Sequence, residues 1–115
     1  MASMKKHDNL SLATSKRVAA LLESQKEKET VEYSGRIVKV SSTGTWQLRA
    51  LLITNKAIYT LLPSNVSVCK RRIPIEKLGH ITVSKISTEI VLHVPEEYDL
   101  RFQSVRDSVF ILLTL

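Results

Sequence analysis

Ala50-Leu51-Leu52-Ile53-Thr54-Asn55-Lys56-Ala57-Ile58-Tyr59-Thr60-Leu61-Leu62 is the stretch whose reading decides the fold of this chain. Two runs of apolar, β-branched and aromatic residues meet at Asn55-Lys56, and such runs on either side of a two-residue break predict a β-hairpin. The same texture continues outward in both directions. It predicts strands at residues 31–40, 46–54, 57–62, 66–72, 80–84, 89–94 and 98–103, separated by short breaks such as Ser-Ser-Thr-Gly and Pro-Ser-Asn. Breaks this short favour sequential, up-and-down pairing.

The two ends have a different character. Residues 1–9 are polar and aperiodic and are expected to fray. Residues 10–29 lack Gly and Pro and place Thr14, Val18, Leu21, Leu22 and Gln25 at helical spacing, which predicts a helix with a narrow apolar stripe. Lys16 and Arg17 at its start admit a membrane-surface role, but a stripe with so few large residues is meagre for insertion, so packing against the domain is expected. At the other end, Ser104 with Asp107 three residues later resembles a capping box, and Val105, Val109, Phe110, Leu112 and Leu113 supply the apolar face of a terminal helix. The expected fold is therefore mainly β with flanking helices. It takes the form of a partly open seven-stranded barrel of the pleckstrin-homology (PH) type, capped by the C-terminal helix. Residues 1–30 are expected to be an N-terminal extension carrying its helix, and residues 31–115 the PH-like domain.

A length of 115 residues and 43% hydrophobic content suit one domain with one core. Cys69 is the only cysteine, so neither an intramolecular disulfide nor a thiolate zinc framework can form, as expected of a reducing compartment. No run approaches the roughly 18 apolar residues of a membrane span, and residues 1–9 lack the apolar stretch of a secretory signal. The expected address is cytoplasmic, with any membrane role peripheral and on the cytosolic face. Residues 36–85 carry nine Lys/Arg against one Asp/Glu, whereas residues 86–115 carry two against five. This gradient, inside an overall charge of +6, favours an anionic partner such as a phospholipid surface or a polynucleotide. Solvated strand-edge cations are the plainer alternative.

Several of these cations fall at positions where they can act together. Lys39 and Arg49 flank a short polar loop, Lys56 sits in the next turn, and Lys70, Arg71 and Arg72 follow on a later strand. Alternation puts Trp46, Leu48, Ala50 and Leu52 on one face, expected to be the core, with a dip of Trp46 into a membrane interface beside the loop as the alternative, and Gln47, Arg49, Leu51 and Ile53 on the other. Lys39 and Arg49 are then expected to converge outside the barrel. A compact ammonium beside a forked guanidinium suits adjacent phosphates, with Ser41, Ser42 and Thr43 as neutral donors. Lys70 and Arg72 are expected to share an outward face, with Arg71 at an edge or against a carboxylate such as Glu76. The candidate lipid- or phosphate-binding set is thus Lys39, Arg49, Lys70, Arg72, Ser41, Ser42, Thr43 and Lys56.

The chain from residue 31 to 115 resembles the first tail homology domain of class I myosins, a PH-like module that holds acidic phospholipids. The resemblance is carried by Val31-Glu32-Tyr33-Ser34, by Arg49 to Tyr59, by Lys70-Arg71-Arg72-Ile73-Pro74-Ile75, by Ile81-Thr82-Val83-Ser84, by His93-Val94-Pro95-Glu96-Glu97-Tyr98-Asp99-Leu100, and by Ser104 to Leu113. It implies a phosphoinositide pocket built by a Lys on the first strand, a variable loop, and a pair of cations opening the second strand. By position Lys39 matches the first cation and Arg49 the last, while Gln47 stands where the middle cation belongs.

His7, His80 and His93 lie in unrelated segments without metal-ligand spacing, so no metal is expected. No nucleophile elbow, Gly-rich phosphate loop or paired-carboxylate arrangement appears, so neither catalysis nor a cofactor is expected. Nucleic acid is disfavoured because the basic strands lack interleaved aromatic residues apart from Trp46. The expected function is binding of anionic phospholipids or phosphoinositides for peripheral membrane targeting. The alternative is a PH-like protein-interaction module that docks a cytoskeletal or adaptor partner along a strand edge.

Overall fold

The computed structural model describes residues 7–84, 86, 88–104, 111, 114 and 115. In chain order these form strand β1 (His7–Asp8), a 3-10 turn (Leu12–Thr14), helix α1 (Lys16–Glu23), β2 (Val31–Val40), β3 (Trp46–Thr54), β4 (Ala57–Leu62) and β5 (Asn65–Pro74). A second 3-10 turn (Ile75–Lys77), β6 (His80–Val83), β7 (Glu89–His93) and β8 (Leu100–Gln103) follow. The strands make one sheet in the order β5-β4-β3-β2-β8-β7-β6, antiparallel throughout except for β1, which pairs in parallel with β2. It is open, as expected, and does not close into a barrel: sequential pairing holds from β2 to β5 and from β6 to β8, and the two runs join through β2 and β8.

Two clusters of buried side chains account for this shape. Tyr33, Ile37, Leu51, Ile53, Ile58 and Ile73 of β2–β5 face Ile90, Leu92, Leu100 and Phe102 of β7–β8, so the two strand runs pack as layers. On the other face of the β2–β5 layer, Ala50, Leu52, Tyr59 and Leu61 meet Leu12 and Val18, with Leu21 and Leu22 partly buried beside them. The helix stripe therefore packs on the sheet. Every residue of β3 from Ala50 to Thr54 is buried, because that part of the hairpin is covered on both sides. This explains its unbroken apolar run, the pattern of a strand with no solvent face.

The helix is shorter than its sequence pattern. The Asp8 carboxylate accepts the amides of Leu12 and Ala13, each at 2.8 Å, and holds them in the 3-10 turn, while Ser11 adopts a left-handed φ of 53°. Helical geometry starts only after Ser15, whose hydroxyl accepts from the Val18 amide at 3.3 Å. Beyond Glu23 the polar run from Ser24 to Glu29 offers no apolar side chain to bury, and α1 ends. The start of the chain also departs from expectation. Residues 1–6 lie outside the described residues, but His7 and Asp8 pair with Tyr33 and Ser34 and extend the sheet. Of the terminal helix expected from Ser104, the cap partner Asp107 and Val105, Val109, Phe110, Leu112 and Leu113 lie outside the described residues, whereas Ile111 is buried between the layers.

Candidate functional site

The register of the β2–β3 hairpin sets Lys39 opposite Gln47 and Ile37 opposite Arg49. Lys39 and Arg49 are thus diagonal neighbours on one face, the separation at which long side chains still meet, roughly 7–8 Å between Cα atoms. That face continues through Ile37, Leu51 and Ile53, so it is the face that looks toward the second layer. The alternation in β3 is as read from the sequence, but its sides are exchanged. Trp46 and Leu48, expected in the core, are 67% and 68% exposed, and Arg49 lies on the inward side. The reason is that Ala50 and Leu52 share the phase of Trp46 and are buried by α1, which stops short of the hairpin tip.

Two further cations join them. In β5 a register shift falls between the pairs Thr60↔Arg71 and Leu61↔Cys69, which leaves Lys70 as an exposed, bulged residue. Arg71 then shares the inward face with Ile73 and Thr60. Lys39 feels all of this: partial burial, and then the charges of Arg49, Arg71 and Lys70, hold its ammonium below the ordinary lysine value. Among the described residues, Glu97 is the carboxylate that reaches the group, 3.8 Å from Arg71, which also donates to the Tyr98 carbonyl. Arg71 therefore pairs with the loop before β8 and not with Glu76. Lys39, Arg49 and Lys70 have no counter-ion among the described residues.

Two buried polar atoms sharpen the picture. Arg49 donates from Nη1 to the Leu48 carbonyl at 2.8 Å, but its buried Nε has no acceptor. The Thr60 hydroxyl, on the same inward face, is also buried without a partner. An unsatisfied buried donor costs roughly 1–3 kcal/mol, and it stands here beside three cations that no carboxylate among the described residues answers. The turn from Ser41 to Thr45 has little to add. Gly44, at φ 84°, closes it with a bond to the Ser41 carbonyl, and the Ser41 hydroxyl accepts the Thr45 amide at 3.0 Å and contacts the Thr43 hydroxyl, which reaches Thr45. The Ser41 and Thr43 hydroxyls are thus engaged within the turn, while Ser42 is exposed at its tip.

The remaining candidates lie elsewhere. Arg72, paired with Tyr59, points to the α1 side of the sheet, where it bonds Glu29 at 2.7 Å and the Tyr59 hydroxyl at 3.0 Å. Glu29 also accepts from Thr54 at 2.6 Å and from Tyr59 at 2.8 Å. Lys56, in the turn at the opposite end of β3 from Trp46, pairs with Glu27 at 2.9 Å. Lys56 and Arg72 both line a cleft of about 580 Å³ with Glu27, Glu29 and Glu76, so their charges are already answered. A second cleft, about 650 Å³, lies between α1 and residues 25–31, away from the Lys39 cluster. The candidate set left out Arg71, expected at an edge or against a carboxylate, and Thr60; phasing β5 backward from buried Ile73 turns Arg71 inward.

The open, layered antiparallel sheet thus carries a cationic group at one end of its first long hairpin. The unconventional myosin tail family, described as actin- and lipid-binding, matches residues 6–114, and the chain belongs to that family. It is also similar to the myosin IA heavy chain of Dictyostelium discoideum, at 31% identity over 114 residues. The similarity covers 92% of this chain and 12% of that heavy chain, so the sequence spans about an eighth of the relative's length. Among the described residues no group of acidic, His or Cys side chains could hold a metal, and no helix is long and apolar enough to cross a membrane.

Proposed function

We propose that this chain binds acidic phospholipids, with phosphoinositide headgroups as the preferred ligands, and thereby targets the protein that carries it to cytosolic membrane faces as a peripheral module. The observation that carries this reading is the inward-facing pair Lys39 and Arg49, with exposed Lys70 close enough to act on Lys39, and with no counter-ion for the three among the described residues. A phosphate between Lys39 and Arg49 would pair with both cations and relieve the like-charge repulsion on Lys39. Ser42, exposed at the tip of the 41–45 turn, completes the proposed headgroup contacts. Arg72 and Lys56, with their carboxylate partners, are left out of the site. The module proper is taken as residues 31–115, braced by the helix that precedes it.

The test is co-sedimentation with vesicles of graded phosphatidylserine and phosphoinositide content. Each cation near an anionic surface contributes on the order of 1 kcal/mol, so neutralising Lys39→Gln with Arg49→Gln is expected to weaken binding roughly thirtyfold and to flatten its salt dependence. Equal binding by the double variant would overturn the site. The family's description as actin-binding favours a cytoskeletal partner as a second reading. The exposed edges β5 and β6 are where such a partner would dock.

A further inference from the structure

The tip of the β2–β3 hairpin has two unlike faces. On the inward face stand Lys39 and Arg49; on the outward face Val40 pairs with Trp46 and Val38 with Leu48, making a continuous apolar strip. Trp46 and Leu48 are about two-thirds exposed, although Ala50 and Leu52, next on the same face, are fully buried under α1. From Val40 to Leu48 the hairpin carries no charged side chain. Its turn already satisfies polar groups internally, through Gly44 N to Ser41 O, Ser41 N to Thr45 O and Thr45 N to the Ser41 hydroxyl. Each of these properties lowers the penalty for leaving water.

We propose that this tip is a membrane wedge, in which Trp46 and Leu48 enter the boundary between headgroups and acyl chains of an anionic bilayer while Lys39, Arg49 and Lys70 engage its phosphates. The inference rests on the lipid-binding reading above and adds a second, apolar component to it. Charge complementarity selects a bilayer as the occupant, since the same hairpin that bares an indole also bares unanswered cations. Size agrees, because one hairpin tip falls well short of the about 800 Å² that each partner of a stable protein complex covers. An indole, with an apolar body and one N–H donor, is suited to a layer that is apolar on one side and wet on the other.

Trp46 is the only tryptophan in the chain, so its fluorescence reports on the wedge without labelling. The intact chain is titrated with unilamellar vesicles of phosphatidylcholine containing phosphatidylserine, with and without acyl chains brominated near the headgroup. The expected result is a blue shift of the emission on binding and quenching by the shallow bromines. Trp46→Ala with Leu48→Ala is expected to lower partitioning roughly tenfold per residue while keeping the salt slope, whereas Lys39→Gln with Arg49→Gln flattens the slope. Vesicle sedimentation with unshifted, unquenched emission would overturn the wedge and leave lipid binding standing. Failure to sediment with any anionic vesicle would overturn both. A shift produced by actin filaments but not by vesicles would assign the tip to a protein partner and also overturn the wedge.

Discussion

Arg72 and Arg49 are both arginines on the β2–β5 layer, and their surroundings are opposite. Arg72 is tied by Glu29 and Tyr59 into a network that also holds Thr54, with its guanidinium 5.5 Å from the Tyr59 ring. Arg49 has a neighbouring carbonyl and an idle Nε, and sits beside Lys39 with no carboxylate among the described residues. The difference teaches that a basic sequence does not by itself locate a binding site. What matters is where counter-ions are withheld. At the α1 side the fold pairs its charges; at the hairpin tip no carboxylate among the described residues answers Lys39 or Arg49, and the strand register holds these like charges together.

This contrast can be broken from either side. The largest effect on stability is expected from Glu29→Ala, which strands Arg72, Tyr59 and Thr54 and should cost about 3 kcal/mol in chemical denaturation, with vesicle binding unchanged below the transition. Lys39→Gln with Arg49→Gln should do the reverse: removing the unsatisfied Nε and the like-charge repulsion should leave stability unchanged or raise it by about 1 kcal/mol, while vesicle affinity falls roughly thirtyfold. If both pairs of measurements moved together, the division between structural and binding cations would fail.

The pH profile sharpens the same division. Burial pushes the Glu29 carboxyl up, but hydrogen bonds from Thr54, Arg72 and Tyr59 and the Arg72 charge outweigh it and hold the carboxyl below its ordinary value. A carboxylate depressed in the folded state binds fewer protons folded than unfolded. Its stabilisation is therefore full above the ordinary glutamate value and is lost as pH falls through that value toward the lower folded one. Tyr59, pushed up to about 12 chiefly by burial, acts at the other limit: the unfolded chain ionises it from about pH 10, so stability declines as pH rises from there toward 12. Melting temperature against pH should show both slopes, the acid one flattened by Glu29→Gln and the alkaline one by Tyr59→Phe. The smallest effect is expected at Lys56→Ala, whose exposed pairing with Glu27 should leave both melting and vesicle binding where they were.

Much of the scaffold was legible because its signals are local. Residues 31–40, 46–54 and 57–62 are strands at the bounds that texture and turn residues mark. Facing was harder to read. In β3 the apolar residues occupy both phases, since one face meets the second layer and the other meets α1, so alternation could not say which side Trp46 would take. In β5 the bulge at Lys70 breaks the alternation that Lys70, Arg71 and Arg72 would otherwise share, and no Gly or Pro marks it. Strand β1 was illegible for another reason: two residues cannot show periodicity, and its hold on the fold comes through the Asp8 carboxylate, a contact invisible until Leu12 and Ala13 are placed beside it. The register fixed by the hairpin turn puts Lys39 and Arg49 on one face, but it is the inward face and not the outer one expected of them.

Strand β2 is the seam of the molecule, for at Val38, Lys39 and Val40 it is laddered to β3 on one side and to β8 on the other. Lys39 thus stands where both layers are stitched to a single backbone. An anion bound there, as proposed, would load both strand runs through one backbone, so any tension it transmits would be shared between them.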